Sequence, residues 1–216
     1  WLKPMPAVCK EHDVFFVVDE VITGFGRSGP LFACEEDDVV PDLITMAKGL
    51  TSAYVQLGAL GMRRKYAEQF DERVFYGGLT YNSHALGCPA ALATIAVYEE
   101  DQLIDRARKM GVVMKQMHAD LKAKHPSVGD TRSIGLFGMI DLVRNRKTME
   151  PMAPFNGTSP EMQALGKFFR DEGLYTFVRW NGFFTNPPLC ITEAELAEAF
   201  AIIDKGLYAT DKAIGA

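Results

Sequence analysis

Short apolar runs separated by polar, turn-prone stretches mark the first seventy positions. Val14-Phe15-Phe16-Val17-Val18 is a block of β-branched and aromatic residues, a pattern that predicts a strand buried on both faces in a parallel sheet. It ends at Asp19-Glu20. Before it, Leu2, Met5, Val8 and Cys9 trace one face of a helix that begins without a capping residue. Glycine is dense from residue 23 to 30, where Gly29-Pro30 closes a loop, and Leu43-Ile44-Thr45-Met46-Ala47 then predicts a second buried strand ending on Lys48. A third apolar stretch, Leu57 to Met62, runs into Arg63-Arg64-Lys65-Tyr66-Ala67-Glu68, so strands and helices alternate.

Further along, the period lengthens. Ala85 to about Tyr98 is rich in alanine and leucine and predicts a buried helix, and Leu103 to about Lys124 has apolar residues at helical spacing. Ile134 to Leu142 reads as a strand, Pro160 to about Glu172 as a helix, Tyr175 to Val178 as a strand and Glu193 to about Ala209 as a last helix. The change in texture sets a boundary at residue 103, giving an α/β part over 1–103 and a smaller α+β part over 104–216.

Composition narrows the function classes. With 48% hydrophobic and 24% charged residues, the 216-residue chain has the make-up of a globular protein with a sizeable core. A net charge of −5 gives no reason to expect nucleic acid or an anionic membrane as partner. Cys9, Cys34, Cys88 and Cys190 are scattered, with no CxxC pair and no zinc-like spacing, which points to a reducing, cytoplasmic setting and no structural metal. No apolar run reaches the ~20 residues of a spanning helix. The start, Trp1-Leu2-Lys3-Pro4-Met5-Pro6, has neither an initiator Met nor a signal-peptide layout and reads as the interior of a longer polypeptide.

Two constellations carry candidate chemistry. Gly24-Phe25-Gly26-Arg27-Ser28-Gly29 matches the dinucleotide pattern GxGxxG, but Asp19 to Thr23 separate it from the strand and Pro30 follows instead of a helix. A glycine-rich loop passing close to other backbone is the simpler account, and a nicotinamide oxidoreductase stays only as an alternative. The second constellation is Asp19 and Lys48, 29 residues apart at the carboxyl ends of two predicted neighbouring strands, where α/β sheets place their ligand crevice. A desolvated lysine there is a nucleophile for imine chemistry with an aldehyde cofactor, and a nearby carboxylate can keep a pyridine nitrogen protonated. Two ordinary strand-end charges, or an ion pair, are the competing account.

The stretch from Val17 to Gly29 (Val-Val-Asp-Glu-Val-Ile-Thr-Gly-Phe-Gly-Arg-Ser-Gly), with Pro41-Asp42-Leu43-Ile44-Thr45-Met46-Ala47-Lys48-Gly49-Leu50 and Leu57-Gly58-Ala59, resembles the signature of the class III pyridoxal-phosphate-dependent aminotransferases of fold type I. The resemblance implies a mixed or parallel sheet from the later part of a large cofactor domain, followed by an α+β small domain. It implies pyridoxal 5'-phosphate as cofactor, with Asp19 pairing the pyridine nitrogen, Val21 packing on one ring face, and Lys48 forming the imine and shuttling protons. Gly78-Leu79-Thr80-Tyr81-Asn82-Ser83-His84 resembles the segment in which the threonine, Thr80, bonds the phosphate held by a neighbouring subunit; a cap for the following helix is the alternative, and His84 reads as structural. Phe177-Val178-Arg179-Trp180-Asn181-Gly182, leading to Pro187-Pro188, is similar to the amine and ω-amino acid transaminases, in which the arginine, Arg179, grips a substrate carboxylate and swings away for an uncharged amine.

The implied reaction moves an amino group from an amine or ω-amino acid to an oxo acid such as pyruvate. A same-family aminomutase or racemase and an inactive binding fragment are the other readings. The likeness covers the second half of a typical member, so a missing N-terminal half and a homodimer are the partners it implies.

Overall fold

The computed structural model describes residues 2–215. The chain divides into two compact units, one reaching to Asp105 and the other starting at Arg106.

In the first unit, helix α1 (Met5–Glu11) begins at Pro4 without a side-chain cap, and Leu2, Met5 and Cys9 pack on Phe16, Val18, Cys34 and Val39. Strand β1 (Val17–Asp19) lies parallel to β2 (Leu43–Met46), which pairs antiparallel with β3 (Ala59–Met62). The sheet is therefore mixed. Asp42 ties the entrances of β1 and β2 together: its carboxylate accepts from the Phe16 N–H at 3.1 Å and the Tyr66 hydroxyl at 2.8 Å, and the Phe16 N–H chiefly holds its pKa below the usual value. A short α2 (Arg64–Ala67) follows β3, and α3 (Gly87–Glu100) presses Ala91, Ile95 and Tyr98 on Phe25 and Leu50.

Two expectations need correction here. The first strand is shorter than its apolar block and buries one face only: Phe16 and Val18 are buried while Val14, Phe15 and Val17 are exposed. The cause is position, because Leu2, Met5 and Cys9 with Cys34 and Val39 cover only the side that carries Phe16 and Val18. Helix α3 is likewise not a buried helix. Only Gly87 and Ala91 are buried, and Leu92 is 69% exposed.

The second unit is α+β. Helix α4 (Leu103–Lys124) has Ala107, Met114 and Leu121 buried at intervals of seven along one stripe. The sheet runs β4 (Val128–Ile134), β5 (Phe137–Asn145), β8 (Gly182–Thr185), β7 (Val178–Arg179), all antiparallel, with β6 (Glu150–Pro151) paired to β5. Period-2 burial along β5 puts Gly138, Ile140 and Leu142 into the core, where they meet α4, α5 (Pro160–Asp171) and α6 (Glu193–Ala213). Ser159 caps α5, and a Thr192/Glu195 capping box starts α6.

The single strand expected over 134–142 is in fact the end of β4, a tight turn at Gly135-Leu136 and the start of β5. The strand expected over 175–178 narrows to β7 and gains β8, joined by a two-residue turn at Trp180-Asn181. Both errors have one source. β4 reads Val-Gly-Asp-Thr-Arg-Ser-Ile, too polar to stand out, because one face of this antiparallel sheet is open.

Candidate active site

Asp19 ends β1, and its register partner on β2 is Thr45, three residues before Lys48. Neighbouring strands lie ~4.8 Å apart and three residues span at most ~10 Å, so the Asp19 and Lys48 Cα atoms are within about 15 Å. The topology thus brings these two residues to one end of one strand pair. One Asp19 carboxylate oxygen accepts the Val21 N–H at 2.9 Å, which sets Val21 on the same turn; among the described residues the other oxygen makes no hydrogen bond.

Lys48 is not desolvated in this structure. It is exposed and opens a one-turn 3₁₀ segment, Lys48–Leu50, with φ of +47°. A left-handed conformation costs a non-glycine residue about 1–2 kcal/mol, so something must hold it. The Lys48 carbonyl accepts from the N–H groups of Thr51 and Ala53, and the Gly49 carbonyl accepts the Tyr98 hydroxyl at 2.7 Å. Gly49 itself lies against Phe25: a Cβ there would come within 2.8 Å of the Phe25 Cβ and 3.2 Å of its ring.

Next to this pair, Thr45 Oγ1 is buried and has no hydrogen-bond partner among the described residues. An orphaned buried hydroxyl beside a half-bonded carboxylate leaves polar capacity for a ligand. With an amine at Lys48, a carboxylate at Asp19 and the half-buried Val21 side chain, this donor set fits pyridoxal phosphate: an aldehyde, a ring nitrogen and an apolar ring face each have a counterpart.

The glycine-rich loop is scaffold. A Cβ on Gly24 would meet the Glu20 carbonyl at 2.7 Å, Phe25 and Gly26 have positive φ, and a 3₁₀ stretch at Ala33–Asp37 follows in place of the long helix a dinucleotide site needs. Buried Glu20 closes this loop, accepting from the Thr23 hydroxyl and from the Cys34 N–H at 2.9 Å. Burial, with Glu20 beside it, pushes the Cys34 thiol up to about 11.

Thr80 sits on an exposed segment and its side chain makes no hydrogen bond among the described residues. The capping alternative is corrected, since α3 starts seven residues later at Gly87 and has no side-chain cap. His84 serves that entrance structurally, its Nδ1 accepting the Leu86 N–H at 3.2 Å.

Arg179 lies in the second unit, exposed at the end of β7, with its guanidinium 4.2 Å from the centre of the Trp180 ring. Trp180 has φ of +53° and packs on Phe155 with ring centroids 4.4 Å apart. Thr45, Phe25 and Tyr98 were not foreseen as site residues. Thr45 is visible as the third residue before Lys48; Tyr98 carries no local signal, being 50 positions from Lys48.

Comparisons with known proteins agree on the family. A family model described as aminotransferase class-III matches residues 1–207. An omega-aminotransferase of Caulobacter vibrioides is 36% identical over 98% of this chain and 47% of its own length. An adenosylmethionine-8-amino-7-oxononanoate aminotransferase of Anoxybacillus flavithermus is 34% identical over 100% of this chain and 48% of its own. Among solved structures, a taurine:2-oxoglutarate aminotransferase from Bifidobacterium kashiwanohense, in complex with PLP and glutamate, superimposes with a TM-score of 0.92 at 34% identity, covering 98% of this chain and 47% of that one. The fold is that of the C-terminal part of fold type I transaminases. The chain spans about half the length of the curated relatives it matches.

Proposed function

The chain belongs to the class III aminotransferases, and from that premise we propose that it forms part of an enzyme transferring an amino group from an amine or ω-amino acid to an oxo acid such as pyruvate, with pyridoxal phosphate as cofactor. The observation that carries this reading is the strained Lys48 at the exit of β2, beside one Asp19 carboxylate oxygen and a Thr45 hydroxyl that have no hydrogen-bond partner among the described residues.

The roles follow from the chemistry of each group. Lys48 supplies the amine that anchors the cofactor's aldehyde and then moves protons at the reacting carbon; Asp19 keeps the ring nitrogen protonated; Val21 covers a ring face. Thr80 donates to the phosphate of a cofactor held by a neighbouring subunit, and its exposure, with no side-chain hydrogen bond among the described residues, supports this. Arg179 binds a substrate carboxylate through its planar fork and vacates the position for an uncharged amine. When bound, pyridoxal phosphate supplies the electron-accepting ring that lets the amino group change carriers.

We read residues 1–103 as the later part of the cofactor domain and 104–216 as the small domain, a reading supported by the division of the chain at Asp105. A homodimer in the cytoplasm, joined by a segment equivalent to the other half of the relatives, completes the proposal. Four free thiols support a reducing setting, and no helix among the described residues is long and apolar enough to cross a membrane. The two relatives carry different names at similar identity, so likeness does not choose the donor.

The test is chemical. Borohydride reduction of the cofactor-loaded protein followed by peptide mass spectrometry should place the pyridoxyl mass on Lys48, and Lys48→Ala should abolish both the label and turnover. A label on any other lysine defeats the assignment.

A further inference from the structure

A left-handed lysine carries a conformational cost, so contacts from outside its own segment help to hold it. Among the described residues, the bonds within 48–53 close the turn and Leu50 packs into the cluster with Phe25 and Ala91, which leaves the placement of Gly49 to whatever touches it. Two side chains do. The Tyr98 hydroxyl, from α3, donates to the Gly49 carbonyl at 2.7 Å, and Phe25, from the glycine-rich loop, lies so close that Gly49 has no room for a Cβ. These two side chains also hold each other, with ring centroids 5.9 Å apart and planes 20° from parallel. Phe25 is itself fixed by a left-handed backbone (φ +58°) and by an edge contact with Phe32 at 5.6 Å.

We propose that Tyr98 and Phe25 are positioning residues for the cofactor lysine: stacked on each other, they clamp Gly49, the residue that follows Lys48, so that the Lys48 amine is presented in one direction. This rests on the reading of Lys48 as the cofactor lysine. The clamp gives the glycine-rich loop a second purpose besides turning the chain, for it delivers Phe25 to the underside of the lysine turn. It also explains why α3 is needed although most of its surface is exposed. Burial raises the Tyr98 pKa, so the hydroxyl keeps its proton and its donor role through the neutral range.

The experiment uses the holoenzyme and two variants. Tyr98→Phe removes one hydroxyl and leaves the stack; Phe25→Leu removes the stack and leaves the hydroxyl. For each, the rate of cofactor attachment is followed by the absorbance band of the lysine-bound cofactor and by borohydride-fixed label on Lys48, alongside kcat, KM and the melting temperature. A net hydrogen bond corresponds to roughly a tenfold change, so Tyr98→Phe should slow attachment and lower kcat by about that factor with KM for the amine unchanged. Phe25→Leu should act in the same direction. A fall in melting temperature with unchanged attachment rate and kcat would make the contacts merely structural and overturn the clamp alone. Label on a lysine other than Lys48 in the parent protein would overturn the Lys48 reading and the clamp with it.

Discussion

Arg179 shows what a single residue's surroundings add to a motif. Its position in the segment suggests a carboxylate clamp, and the structure adds that the guanidinium lies over the Trp180 indole. A cation–π contact at an exposed site contributes about 0.5–1 kcal/mol, whereas a bidentate bond to a carboxylate is worth more. On the proposed role, an anionic substrate would draw Arg179 off the ring and a neutral amine would leave it there. Arg179→Ala should raise KM for pyruvate or an ω-amino acid by roughly tenfold, about 1.4 kcal/mol, and leave KM for a simple amine unchanged. Steady-state kinetics with both substrates check this; equal losses sink it. Because Arg179 is exposed, a larger effect is not expected from this geometry.

At the scale of elements, a buried histidine ties α4 to the sheet. His118 Nε2 lies 2.8 Å from Thr185 Oγ1 on β8, its Nδ1 has no partner among the described residues, and burial pulls its pKa down to about 4. The unfolded chain, near 6.5, takes up a proton that the folded one refuses, so stability is lost as pH falls from about 6.5 towards 4, by up to about 3 kcal/mol. His118→Gln, which keeps a donor for Thr185 but does not titrate there, should flatten that loss; urea midpoints at pH 7 and pH 4.5 compare the two. Elements were legible where the pattern was local. The 3.6 period over Leu103–Lys124 and the helical run from Glu193 predict α4 and the start of α6 as they stand, because a helix buries its own stripe. β4, β7 and β8 were missed or blurred, since β4 is too polar to show a strand pattern and Gly182 joins the central strand only by pairing with Asp141, far back in the sequence.

For the whole molecule, the first unit keeps apolar surface that its own residues do not cover. Val17 is 51% exposed, Tyr76 92% and Leu92 69%, and a hollow of about 570 Å³ bounded by Phe25, Leu31, Met46, Ile95 and Ile104 adds to it. Soluble proteins rarely leave so much apolar surface open. The chain by itself should bind a hydrophobic dye strongly and sediment as concentration-dependent oligomers, and supplying the segment that completes its relatives should suppress both. A monodisperse monomer without dye binding would contradict this. The same surface explains why the sequence overstated burial: Val14 to Val18 and the Ala/Leu face of α3 read as core because they are apolar, and apolar residues await a cover wherever it comes from. Asp19 and Lys48 were legible because their types and strand-end places are local facts, while the Tyr98 contact exists only after α3 folds back across about fifty residues.

The indole beneath Arg179 has one more consequence, and it concerns time. An exposed side chain leaves so shallow a resting place in picoseconds to nanoseconds, whereas enzyme turnovers take about a millisecond to a second. On the proposed role, Arg179 samples both placements very many times per catalytic cycle and is at equilibrium whenever a substrate arrives. Acceptance of charged and uncharged donors is then set by relative populations alone, and breadth of substrate range imposes no delay on the slow steps of the reaction.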